Sequence, residues 1–295
     1  MLLKFVREFQ PEFPAIPANE DLKGIIEKIK NYDLSKVFIN DNAIFRNNCS
    51  NIGVNYLKSH HKSYWKSSYK SNNLSPVEAW GDDNIMKQVI KYRIGINNSD
   101  EIFNFSLHQL IRGLSARRLT ISFFKPLLAA TIYKHFLGDA KSPTVIDPCA
   151  GFGGRMIGFK SIYPNGKYIG IEPNIETYNE LVKLSKNLTN VKLYNCKLED
   201  YAGSKECDLT FTSIPYFDLE TYSNPVKYRD IEDWQDTFIK SLKTYNKLVV
   251  NLPNSLEYLF ENYNKKYFLQ NNTSHFLVLV LSKWEVLFCK KYFLL

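Results

Sequence analysis

The 295 residues hold five cysteines (Cys49, Cys149, Cys196, Cys207 and Cys289), and none lies in a CxxC pair or any other metal-ligand spacing. A disulfide-built or zinc-built scaffold is therefore excluded, and the thiols read as reduced. Long apolar runs are also missing. The longest is Phe276 to Leu281, far below the roughly 18 residues a membrane helix needs, so no membrane partner is expected. Lys4, Arg7 and Glu8 interrupt the opening stretch where a secretory signal would need its apolar segment, which leads to the expectation of a cytoplasmic protein. No internal repeat is visible. With 44% hydrophobic and 23% charged residues the composition is globular, and collagen-like and disordered classes fall away.

Acidic residues are absent between Asp41 and Glu78. In that interval Arg46, Lys58, His60, His61, Lys62, Lys66 and Lys70 interleave with Tyr56, Tyr64, Trp65 and Tyr69. Lys58, Lys62, Lys66 and Lys70 recur every fourth residue, which on one continuous helix would align four like charges on a face. A polyanion would relieve that repulsion, and the aromatics could stack on unpaired bases. A solvated helix face accounts for the same lysines. The net charge of +8 also favours a polyanionic partner, although thirty of the 38 basic residues are lysine in a chain rich in Asn and Tyr, as coding bias alone would produce. His60 and His61 are adjacent without further ligands nearby, so no metal is expected.

Residues 1–115 show no strand-helix alternation, and the regular pattern starts near residue 117. Phe123 to Leu137 has helical spacing and stops at Gly138, a position for a left-handed cap. Strand Thr144–Ile146 enters Asp147-Pro148-Cys149-Ala150-Gly151-Phe152-Gly153-Gly154-Arg155, and a helix follows that must end before Pro164. Then come strand Tyr168–Ile171, a helix capped by Asn174, strand Val191–Tyr194, strand Asp208–Thr212, a helix with Trp234, Phe238, Leu242 and Tyr245 on one face, and strand Leu248–Asn251. Asn254 and Glu257 suggest a capping box. Phe276–Leu281 and Glu285–Tyr292 are separated by too few residues for a crossover and read as an antiparallel pair. The series describes an α/β fold, doubly wound, with a mostly parallel Rossmann-like sheet and a reversed last strand.

Ligands of such sheets sit at the carboxyl ends of the strands, near the first strand-to-helix turn. Gly151 and Gly153 permit positive φ and close backbone approach there. The spacing is not the dinucleotide fingerprint G-x-G-x-x-G. Glu172, ending the second strand in Gly-Ile-Glu-Pro-Asn, can accept from both hydroxyls of a ribose, and Glu199-Asp200 after the third strand offers an acceptor for an adenine amino group. Each of these also has a purely structural reading, as a turn, a helix cap or surface charge.

Asp147 to Arg155, then Gly170 to Asn174, then Thr212-Ser213-Ile214-Pro215-Tyr216-Phe217 after the fourth strand, resemble the S-adenosylmethionine-dependent amino-methyltransferases that modify adenine N6 or cytosine N4 in DNA. The resemblance covers residues 116–295 and implies a class I methyltransferase domain with a seven-stranded sheet, preceded by a mainly helical region, 1–115, that helps hold the nucleic acid. It implies a cofactor, S-adenosylmethionine, bordered by Lys125 and Pro126, by Asp147, Cys149, Ala150, Gly151, Phe152 and Gly153, by Glu172 and Pro173, and by Glu199 and Asp200. Asp147 carries over as a contact on the methionine side.

The family's tetrapeptide is Asp, Asn or Ser, then Pro-Pro, then an aromatic residue; here Ile214 replaces the first proline. An exocyclic amino group is a poor nucleophile because its lone pair is delocalised into the ring. Two acceptors aimed at its protons turn that lone pair toward the methyl carbon. By resemblance Ser213 Oγ is one acceptor and the Ile214 carbonyl the other, Pro215 stiffens the turn, Tyr216 stacks on a flipped base, and Phe217 lies against it. On this reading the Ile214 side chain sets only loop rigidity, and proline at 214 is tolerated. DNA is the first-choice substrate and RNA the second, with a protein-glutamine methyltransferase or an inactive cofactor-binding or nucleic-acid-binding subunit as further alternatives. A cysteine mechanism is not expected, since Cys149 follows the first strand rather than the fourth.

Overall fold

The computed structural model describes residues 2–8, 13, 20–39, 44–46, 49–69, 74–96, 107–116, 121–215, 220–221, 226–245, 247–260, 265–270 and 276–282. The N-terminal part is mainly helical: α1 (Leu2–Glu8), α2 (Leu22–Lys30), α3 (Val54–His60), α4 (Lys62–Trp65), α5 (Pro76–Gly81), α6 (Asp83–Ile96) and α7 (Leu107–Ala116). Short strands β1 (Phe38–Ile39), β2 (Ile44–Arg46) and β3 (Ser68–Tyr69) lie between them. Alternation then begins with α8 (Pro126–Leu137), β4 (Thr144–Asp147), α9 (Gly154–Ile162), β5 (Lys167–Ile171), α10 (Ile175–Ser185), β6 (Val191–Tyr194), β7 (Leu209–Ser213) and β8 (Glu220–Thr221). It continues through α11 (Ile231–Trp234), a π-helical turn over Gln235–Ile239, α12 (Lys240–Leu242), β9 (Lys247–Pro253), a 3-10 stretch over Asn254–Phe260, β10 (Lys265–Gln270) and β11 (Phe276–Ser282).

The main sheet has the order β1-β2-β10-β11-β9-β7-β4-β5-β6, nine strands among the described residues where seven were expected. Strands β6, β5, β4, β7 and β9 form its parallel centre. Strand β11 runs antiparallel to both neighbours, β9 and β10. Its hairpin partner is thus β10, which the sequence reading passed over, while the expected strand 285–292 lies outside the described residues. At the far edge β2 adds parallel to β10.

Successive strand residues face opposite sides of a sheet, and the core divides accordingly. Val145, Tyr168, Phe211 and Val249 point into one cluster with α2, α8, α9 and α10. Ile146, Ile169, Leu248 and Val250 point into the other with Trp234, Phe238, Leu242, Tyr245 and Phe260. The π-helical turn carries Phe238 and Ile239 into this cluster. Leu22, Ile25, Ile29 and Leu57 belong to the same cluster as Leu127, Ile157 and Phe211, so the division expected near residue 115 does not coincide with a break in the core.

Two local expectations are corrected. Helix α8 begins at Pro126, whose ring suits the first helical position and not the interior; Gly138 behind it has φ +56° but ψ −127°, outside the left-handed helical region. The segment from Asn254 is a 3-10 stretch and not a capped α-helix. Asn174 caps α10 as expected, accepting at Oδ1 from the N–H groups of Glu176 and Thr177.

Candidate active site

The glycine turn leaves β4 with its backbone held from beneath. Gly151 and Gly153 have φ +54° and +80°, which L side chains rarely adopt. A Cβ on Gly154 would lie 1.9 Å from the Phe124 carbonyl oxygen, so the segment before α8 packs directly on the start of α9. Asp147 is fully buried. Arg155 Nε donates to its Oδ2 at 2.8 Å and Nη2 to its Oδ1 at 3.1 Å, and Tyr168 Oη donates to Oδ2 at 2.7 Å. Arg155 also donates to the Cys149 carbonyl and stacks near the rings of Phe124 and Phe211. Both Asp147 oxygens are thus taken up inside the protein, so this residue holds the turn where a direct methionine-side contact was expected. The Cys149 N–H donates to Thr212 Oγ1 on β7 at 3.1 Å. Burial, reinforced by Asp147, pushes the Cys149 thiol far above its ordinary pKa.

Glu172 stands at the end of β5 and joins that end to the turn. Its Oε2 accepts from the Gly151 N–H and its Oε1 from the Asn174 N–H, both at 2.9 Å. The Ala150 N–H reaches the Ile171 carbonyl at 2.9 Å. Asn195 Nδ2 donates to the carbonyls of Glu172 and Pro173, which fixes the exit of β5 against that of β6. Burial raises the Glu172 carboxyl from 4.5 to about 7 despite the two backbone donors. Each carboxylate oxygen keeps a lone pair for a further donor.

Beyond β6, Glu199 Oε1 accepts from Tyr228 Oη at 3.0 Å. Its Oε2 is buried without a hydrogen-bond partner among the described residues. Burial, then the Glu199 carboxylate, raises the Tyr228 phenol well above its usual range, which keeps it a donor. Asp200 is exposed.

At the end of β7, Ser213 Oγ accepts from Asn251 Nδ2 at 2.9 Å, and the Ile214 N–H donates to the Asn251 carbonyl at 3.4 Å. Ile214 is 2% exposed and packs into the second cluster. Its side chain is therefore a core element, which corrects the expectation that it sets only loop rigidity. Pro215 is half-buried; Tyr216 and Phe217 lie outside the described residues.

The lysine stripe is not formed. Helix α3 ends at His60 and α4 starts at Lys62, with His61 extended between them at φ −120° and ψ 99°. Lys58 is held near the Tyr64 ring, Lys66 pairs with Glu176 at 3.1 Å, Lys62 is exposed, and Lys70 lies outside the described residues. The break has a physical cause: Ser63 Oγ and the N–H groups of Lys62 and Ser63 all donate to Glu180 on α10, which anchors a new helix start. His61 is fully buried, with Nδ1 at 2.9 Å from the Leu57 carbonyl and its ring edge-to-face with Phe152. Phe152 itself sits among Tyr64 and Phe123, so it joins the turn to the N-terminal region. Lys125 Nζ reaches back to the Cys49 carbonyl at 3.1 Å, and Pro126 is buried.

The structure thus brings the turn, Glu172, Glu199 and Ser213 to the carboxyl ends of β4, β5, β6 and β7, and adds Arg155, Tyr168, Tyr228 and Asn251. Arg155 and Tyr168 carry no separate sequence signal, since their meeting at Asp147 requires β4, α9 and β5 to have packed together. Among the described residues no cluster of three or more His, Cys, Asp or Glu could hold a metal, and no helix is long and apolar enough to cross a membrane.

No family model matches the chain, and no curated protein matches it. Among solved structures it is similar to a human methyltransferase 10 domain containing protein, at 10% identity over 68% of this chain and 98% of that one, with a TM-score of 0.41. It is similar to an S-adenosylmethionine-dependent methyltransferase from Aquifex aeolicus, at 16% identity over 52% of this chain and 88% of that one, with a TM-score of 0.39. TrmN from Thermus thermophilus covers 68% of this chain and 79% of its own, at 9% identity and a TM-score of 0.41.

Proposed function

We propose that the chain transfers a methyl group from S-adenosylmethionine to an exocyclic amino group of a nucleic-acid base, adenine N6 or cytosine N4, with DNA as the substrate. The observation that carries this reading is the convergence of the glycine turn, Glu172, Glu199 and Ser213 at the carboxyl ends of four neighbouring parallel strands, where doubly wound sheets bind their ligands.

The residues present fit the cofactor. Glu199 Oε2 is a buried acceptor lacking a donor, and an adenine amino group supplies one. Glu172 retains lone pairs for two ribose hydroxyls beside its backbone donors. Gly151, half-buried with only the Cys149 carbonyl within 4 Å of its Cβ position, presents a bare backbone to the rest of the molecule, while Gly153 packs on Leu181 and Met156 beneath it. Lys125 and Pro126, on the segment packed against Gly154, border the methionine end. When bound, the cofactor supplies an electrophilic methyl group. The chain's part is to place the base: Ser213 Oγ and the Ile214 carbonyl accept the two amino protons, Pro215 limits the turn, and Tyr216 and Phe217 hold the ring by stacking. Residues 1–115 contribute to holding the nucleic acid, with Lys62 and Lys66 exposed among the described lysines of the basic run.

The test has two arms. Calorimetry with S-adenosylhomocysteine should show binding that Glu172→Ala weakens by several kcal/mol at most. Labelled methyl transfer to unmodified duplex DNA, total RNA and protein, followed by nucleoside mass spectrometry, should place the label on N6-methyladenine or N4-methylcytosine of DNA. Ser213→Ala and Tyr216→Ala should abolish or greatly reduce transfer and leave cofactor affinity nearly intact. Absence of binding overturns the cofactor assignment; label in RNA or on glutamine replaces the substrate.

A further inference from the structure

Tyr228 and Glu199 lie 29 residues apart in the chain and meet beyond the end of β6. Tyr228 belongs to the connection between β7 and α11. The residues after it tie that backbone to the first turn of α11: the Arg229 N–H donates to Asp233 Oδ2 at 3.0 Å, Arg229 Nη2 to Oδ1 at 3.2 Å, and the Asp233 N–H to Asp230 Oδ1 at 2.8 Å. The Tyr228 ring packs against the second cluster, which holds Leu198, the neighbour of Glu199. The phenol is therefore seated from two sides before any ligand arrives.

The two oxygens of Glu199 differ in their circumstances. Oε1 takes the Tyr228 hydroxyl at 3.0 Å, whereas Oε2 is buried with no hydrogen-bond partner among the described residues. A carboxylate offers only acceptors, so the phenol is the donor of this pair. It keeps its proton, because burial and then the Glu199 carboxylate hold it well above its usual range. A buried acceptor without a donor is costly. At Oε2 a ring substituent that donates removes that cost, and one that accepts adds to it.

We infer that Tyr228 is a positioning residue that makes the ring subsite of the cofactor selective for a 6-amino over a 6-oxo purine: by occupying Oε1 it leaves Oε2 as the atom of Glu199 that meets the ring. This role rests on the proposed cofactor and on Glu199 as the acceptor of its amino group, and it goes beyond them in assigning the choice between purines to a residue that acts through Glu199. A site built around a hydrogen bond rejects the analogue that cannot make it far more strongly than an apolar pocket rejects a change of shape.

The test is calorimetry on the full chain with S-adenosylhomocysteine and S-inosylhomocysteine, in which an oxygen replaces the 6-amino group. The wild type should bind the inosyl compound at least about tenfold more weakly, since a hydrogen bond to a charged group is lost and two acceptors are opposed. Glu199→Gln separates positioning from a merely structural role. A phenol is a strong donor and a poor acceptor, so Tyr228 draws the amide oxygen to itself and the amide NH2 takes the place of Oε2. The preference should then reverse, with the inosyl compound the tighter ligand. In the double variant Glu199→Gln, Tyr228→Phe either end of the amide can meet the ring, and the two compounds should bind within about threefold of each other. A Glu199→Gln protein that does not reverse, or a double variant that reverses as fully, overturns the positioning role and leaves the cofactor reading intact. Equal wild-type affinities for the two compounds overturn it as well. If the wild type binds neither, the cofactor reading falls and this role falls with it. Where the double variant fails to fold, the outcome for Glu199→Gln decides.

Discussion

Arg155 grips Asp147 through two parallel hydrogen bonds, 2.8 and 3.1 Å long, directly below the glycine turn. Both side chains are almost wholly buried, so the charges depend on each other. A bidentate guanidinium-carboxylate pair is also directional, and here it fixes the carbonyl of Cys149 as well.

Removing one partner should therefore be far worse than removing both. Asp147→Asn or Arg155→Met should cost about 3–5 kcal/mol in chemical denaturation, because the other charge is left buried and uncompensated. The double variant Asp147→Asn, Arg155→Met should recover much of that loss. Equal stability of a single variant and the wild type would show that the pair is solvated.

Cofactor affinity should depend on pH through Glu172. Its carboxyl is raised to about 7 by burial in the free protein, whereas ribose hydroxyls need a carboxylate to donate to. Binding below that pH releases a proton, so the affinity for S-adenosylhomocysteine should fall as pH falls, by up to about tenfold per pH unit. Above pH 7 it should level. Calorimetry at several pH values tests this, and Glu172→Gln should flatten the profile.

Acid should destabilise the fold through His61. Burial lowers its pKa from 6.5 to about 4, so the unfolded chain takes up a proton that the folded chain refuses. Stability is lost as pH falls from about 6.5 toward about 4, by about 3 kcal/mol at the limit. Glu172 contributes with the opposite sign, since its raised pKa favours the folded state on acidification; a comparison of wild type with His61→Leu cancels that part. Between about pH 6.5 and about pH 4 the wild type should lose up to about 3 kcal/mol more than His61→Leu, whatever separates the two at neutral pH.

Ile214→Pro should be destabilising rather than neutral. The substitution removes the N–H that reaches the Asn251 carbonyl and replaces a side chain packed in the core. A loss of about 1–3 kcal/mol follows from the hydrogen bond and the altered packing together. Denaturation midpoints of the two proteins decide it; an unchanged midpoint would mean that the turn accommodates both.

What the sequence made legible was local. Strand Val191–Tyr194, the Asn174 cap and the order of turn, Glu172, Glu199 and Ser213 along successive strand ends follow from periodicity and capping chemistry, and the structure has them in place. The lysines of 58–66 misled because a four-residue spacing predicts a helix face only if the helix continues, and Glu180, more than a hundred residues away, ends it. Asp147 read as a ligand contact because its partners Arg155 and Tyr168 meet it only once two strands and a helix have packed. Asn251 was similarly hidden: its closeness to Ser213 is a property of strand order, which no spacing along the chain encodes.

The pairing of β2 with β10 joins segments more than two hundred residues apart. A chain emerging from the ribosome makes Ile44–Arg46 early, yet the edge those residues pair with exists only after Lys265–Gln270 has been synthesised. Until then the backbone groups of β2 have only β1 to bond with, and a two-stranded ribbon is marginal by itself. The earliest strands to be made are thus among the last to be seated. Contacts of such high sequence separation slow folding, so the outer edge of the sheet should complete last, onto a parallel centre already assembled.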